Sequence, residues 1–94
     1  MRKSYILIYN DSVGSREQVK EWANTSALVI TWRFDLPNCF YLISQNSSEE
    51  LGNSLREKMG SGRFLITETN DNRYGWLPQE SWYLMRHKKH KPKE

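Results

Sequence analysis

The chain has 94 residues, 37% of them hydrophobic and 27% charged, with one cysteine and a formal net charge of +3. That length holds one domain with a thin core and excludes two. A single cysteine excludes an internal disulfide and a cysteine-based zinc site, and it fits a reducing cytoplasm. The charge is lodged at one end. Residues 86–94 carry five Lys/Arg and one Glu, whereas residues 1–85 carry nine Lys/Arg and ten Asp/Glu. The folded body is therefore near neutral, and a basic patch is expected only in the tail.

Tyr5 to Tyr9 is a continuous apolar run of β-formers, which predicts a central strand buried on both faces. It is too short for a signal segment or a membrane span, so no membrane association is expected. Asn10-Asp11-Ser12 reads either as an Asx-type turn or as a metal loop. Ser15 with Gln18 is a capping box, and Val19, Trp22 and Ala23 then share one helical face. Leu28 to Asp35 alternates as a strand. Pro37-Asn38 predicts a tight connection into a second strand, Cys39 to Ser44. Ser47 with Glu50 is another capping box; Leu51, Leu55 and Met59 form its apolar stripe, and Gly60 ends the helix. Arg63 to Thr69 alternates again. Pro78 opens a short helix over Gln79 to Met85.

The order β-α-β-β-α-β predicts a ferredoxin-like α+β domain over residues 1–85. Its antiparallel sheet has order 4-1-3-2, both helices lie on one face, and a short C-terminal helix follows. The other sheet face needs a cover, and four tryptophans suggest the C-terminal segment or a second copy. Residues 86–94 read as a basic disordered tail.

Both histidines, His87 and His90, lie in that tail. No Ser-His-Asp or Cys-His arrangement can then be assembled within residues 1–85, so Cys39 reads as a packing residue and the domain as non-catalytic. Arg86, Lys88, Lys89, Lys91 and Lys93 are candidates for contact with RNA or DNA phosphates, against the plainer reading of a solubilising terminus. Trp76, Leu77, Trp82 and Tyr83 are candidates for a homodimer contact. No cofactor is called for.

The segment Gly75-Trp76-Leu77-Pro78-Gln79-Glu80-Ser81-Trp82 resembles the closing motif of small uncharacterised bacterial proteins labelled SinR-family. Tyr5 to Asn10, Ser48-Glu49-Glu50-Leu51 and Arg63 to Glu68 match the same pattern. Those proteins are similar in turn to the CRISPR-associated adaptation subunit and to virulence-associated protein D. The resemblance implies a ferredoxin-like dimer and, as an alternative function, a metal-dependent nuclease using Mg²⁺. The family's strand-ending Asp corresponds here to Asn10, which leaves Asp11 as the candidate metal ligand. A partner-binding module of a mobile element is the third reading.

Overall fold

The computed structural model describes residues 1–92. Seven elements follow in chain order: β1 (Lys3–Tyr9), α1 (Arg16–Thr25), β2 (Thr31–Arg33), β3 (Cys39–Ser44), α2 (Ser48–Met59), β4 (Phe64–Glu68) and α3 (Gln79–His87). The strands form one antiparallel sheet of order β2-β3-β1-β4, which read from the β4 edge is 4-1-3-2. The molecule is a small α+β domain. Among the described residues, no helix is long and apolar enough to cross a membrane.

Local chemistry sets the helix starts. The Ser15 hydroxyl accepts from the Gln18 amide at 3.2 Å, and the Gln18 side chain accepts from the Ser15 amide at 2.9 Å. Ser47 and Glu50 repeat the arrangement at 3.1 and 3.0 Å. Each box satisfies two backbone donors that a helix start otherwise leaves unpaired. Gly60 closes α2 with φ of 80°, in the region that glycine enters without steric cost. A Cβ at Gly62 would stand 2.7 Å from Val13 backbone atoms, so only glycine lets the start of β4 seat against the β1–α1 loop.

Two cores flank the sheet. On one face α1 and α2 bury Val19, Trp22, Leu51 and Leu55 against Tyr5, Leu7, Phe40 and Leu42. The Trp22 indole N–H donates to Ser54 Oγ at 3.0 Å and ties the two helices together. On the other face α3 sets Leu84 and Met85 on Cys39, Tyr41 and Ile43, with Ile6, Leu77 and Trp82 packed alongside. The cover of the second face is thus the C-terminal segment.

Three sequence expectations change. β1 is not buried on both faces: Tyr5, Leu7 and Tyr9 are, but Ile8 is 50% exposed because α3 lies over β3 and reaches only part of β1. β2 is three residues rather than eight. The Val29 amide bonds back to Ser26 O at 3.3 Å, and this local turn makes Val29 the buried residue and leaves Ile30 half-exposed. α3 runs two residues past Met85, so Arg86 and His87 belong to the folded body, and Pro78 caps the helix instead of occupying its first turn. Lys88 then stops it with φ of 60°, its amide bonded to Leu84 O at 2.8 Å.

Candidate functional site

The β1–α1 loop folds as a turn. Asn10 Oδ1 accepts from the Ser12 amide at 2.8 Å, an Asx turn, and Asp11 Oδ1 accepts from Asn38 Nδ2 at 2.9 Å. Mg²⁺ takes hard oxygen ligands in a near-octahedral shell. Among the described residues no three His, Cys, Asp or Glu side chains come together, and Asp11 is engaged at the turn by Asn38.

Beneath α3 lies a polar cluster that the sequence did not announce. The Arg33 Nε–H donates to Ser81 Oγ at 2.7 Å, the Ser81 hydroxyl donates to Asp35, and Arg33 pairs with Asp35 at 3.4 Å. Ser81 is wholly buried, and these bonds pin the first turns of α3 to the sheet. Cys39 and Tyr41 sit beside them. Burial pushes the Cys39 thiol up from its ordinary value of 9.0, with the Asp35 charge adding to it. Burial likewise raises the Tyr41 hydroxyl, helped by Cys39 and Asp35. A thiol kept protonated is no nucleophile at neutral pH. The cluster holds the fold together.

The open chemistry lies on the outer side of α3. Asp71, Arg73, Tyr74, Gly75, Trp82 and Arg86 line a cleft of about 470 Å³. A second cleft of about 230 Å³ shares Trp82 and Arg86 and adds Gln79, Tyr83, His87 and Lys91. Tyr74 is 97% exposed and Trp76 95% exposed. The Arg73 guanidinium lies 5.9 Å from the Trp82 ring centroid, and its Nη1 donates to Asn70 O at 2.9 Å. The Tyr83 and His87 rings are 4.3 Å apart.

The sequence-derived candidates divide on this surface. Of the four dimer-contact residues, Leu77 and Trp82 are half-buried against the second core, Tyr83 faces His87, and Trp76 alone stands clear. Of the five basic residues, Arg86 and Lys91 line the clefts. The Lys88 carbonyl accepts from Arg2 Nη1 at 3.0 Å while its Nζ donates to Arg86 O at 3.4 Å. Lys89 is exposed on its own, and Lys93 lies outside the described residues. His90 reaches back to bond Thr31 on the edge strand. Arg73 and Tyr74 are the residues that sequence reasoning passed over. The available signal was an Arg-Tyr pair set directly against Gly75-Trp76, two aromatics and a cation within four residues.

No family model matches the chain, and no curated protein matches it either.

Proposed function

We propose that the chain is a non-catalytic, nucleic-acid-associated binding module of ferredoxin-like type. The fold reading is supported by the β1-α1-β2-β3-α2-β4 order and by a sheet read 4-1-3-2 with α1 and α2 on one face. The functional reading rests on one observation: Arg73, Arg86 and Lys91 line the same two adjoining clefts as Tyr74, Trp82 and Tyr83. Guanidinium and ammonium groups bind phosphate regardless of sequence, and exposed rings offer faces to bases. Likeness to the SinR-family motif belongs to the same proposal, since Gly75, Gln79 and Trp82 of its Gly75–Trp82 stretch line these clefts. A cytoplasmic location accords with a lone, unpaired, buried Cys39.

The module is a homodimer in this reading. Ile8 and Leu65 face each other across the β1–β4 ladder, 50% and 60% exposed, beside the outermost strand of the sheet. Adjacent exposed aliphatic side chains next to an open strand edge favour a second copy.

Fluorescence anisotropy with a labelled oligonucleotide across a salt series tests the binding. The logarithm of the affinity falls linearly with the logarithm of salt concentration, and Arg86→Gln shallows that slope by about 0.7 to 0.9. No binding at low salt defeats the proposal. Cutting the chain after Met85 is the wrong experiment, because it removes the last turn of α3 along with the charges.

A further inference from the structure

The character of the outer face of α3 narrows the kind of nucleic acid it takes, on the footing that the surface binds nucleic acid at all. Tyr74 and Trp76 are almost wholly exposed, so neither ring contributes to either core. Between them Gly75 runs against Trp82: a Cβ placed there would meet the indole at 3.7 Å. The backbone is thereby seated on the helix while its two neighbours project from it. Arg73 already lies over the Trp82 ring, and Arg86 borders both clefts. Asp71 is the one acidic side chain in the first cleft, so phosphates are left to the two arginines.

We infer that this face binds an unpaired stretch of nucleic acid, with Tyr74 and Trp76 stacking on two bases while Arg73 and Arg86 hold the phosphates. A duplex keeps its bases stacked on one another and offers a protein surface mainly phosphate and groove edges. Rings as exposed as these gain nothing from a duplex. Against an unpaired strand every base presents a π-face, so the contact is tolerant of sequence. The ring contact and the phosphate contact also answer to different conditions. Phosphate neutralisation weakens with salt, and stacking does not.

The test uses the full chain and fluorescein-labelled oligo-uridine and oligo-deoxythymidine of about 12 nucleotides, with a duplex of matched length as the third probe. Both strands bind more tightly than the duplex and quench tryptophan fluorescence. Trp76→Ala and Tyr74→Ala each weaken strand binding about tenfold, the loss expected for removing one base–ring stack, and leave the salt slope unchanged. Trp76→Phe restores most of the affinity. Arg73→Gln and Arg86→Gln shallow the slope instead. Both aromatic positions are exposed, so far-ultraviolet circular dichroism of the variants matches that of the parent chain. Equal affinity for the RNA and DNA strands supports the inference, as does preference for RNA, which adds a 2′-hydroxyl contact. A duplex bound as tightly as the strands, with Trp76→Ala unaffected, overturns the inference and leaves the broader nucleic-acid reading standing. Failure to bind any probe at low salt overturns both. A dimeric solution mass that Trp76→Ala halves overturns the inference too, because the ring is then occupied by a second copy.

Discussion

Tyr41 on β3 and Ser81 on α3 are buried at the same helix–sheet contact and have opposite fortunes. Ser81 has both partners it needs, in Arg33 and Asp35. The Tyr41 hydroxyl is buried near Asp35 and has no hydrogen-bond partner in good geometry. A buried polar group without a partner carries its desolvation cost uncompensated. Tyr41→Phe therefore keeps or raises stability, by up to about 1 kcal/mol in urea denaturation. Ser81→Ala lowers it by about 1 to 3 kcal/mol, since it strips a partner from Arg33 and from Asp35 at once. The same site contributes to the alkaline limb, together with Tyr5 and Tyr9, whose hydroxyls burial also raises. Cys39 and Tyr41 ionise at higher pH when folded than when unfolded, so the unfolded chain sheds those protons first. The stability they confer is complete below the unfolded value of the thiol, 9.0, and is lost as pH climbs above it. Tyr41→Phe reduces that alkaline loss, which a urea series from neutral pH to about pH 11 reads directly. A flat profile refutes the assignment.

Among the elements, α3 is held by contacts of several kinds. Leu84 and Met85 give it an apolar seat, the Arg33–Asp35–Ser81 cluster fixes its start, and Arg2 and Thr31 hold the backbone and side chain beyond its end. Leu84→Ala costs about 2 to 5 kcal/mol, since the side chain is fully buried and the neighbouring strand cannot collapse into the gap. Cys39 reports the same change: the variant reacts faster with a thiol reagent than the parent chain, and unaltered kinetics contradict the role given to α3. The elements also show where sequence reading succeeds. Ser15–Gln18 and Ser47–Glu50 obey a rule written within four residues, so the starts of α1 and α2 were legible. The length of β2 was not. Its alternation is real, but a turn bond from Val29 to Ser26 takes the chain out of the ladder before Ile30 rejoins β3. The exposure of Ile8 was illegible for a different reason: it depends on how far a helix some seventy residues later reaches across the sheet. The candidate surface shows the same limit. Trp82 and Arg86 attracted notice for separate roles, a dimer contact and a phosphate contact, but their shared cleft with Arg73 and Tyr74 arises only when the segment after β4 folds back over α3.

For the whole molecule, small size leaves both cores shallow, and burial of the Ile8–Leu65 strip is the gain still available. Light scattering then gives a mass near twice 11.2 kDa, and Leu65→Lys returns it to the single-chain value by placing a charge in the contact. A single-chain mass for the parent at high concentration removes the dimer from the proposal. The clefts on α3 are lined by none of these residues, so Leu65→Lys and Arg86→Gln act independently.

The bond from Arg2 to the Lys88 carbonyl brings the start of β1 beside the close of α3. A short flexible splice of glycine and serine can bridge that gap, and fresh ends can be cut at the solvent-facing Leu36-Pro37 corner. Such a circular permutant retains all three strand pairings. It also sets the Arg86–Lys91 region within a continuous backbone, where its phosphate affinity is compared with that of the parent chain.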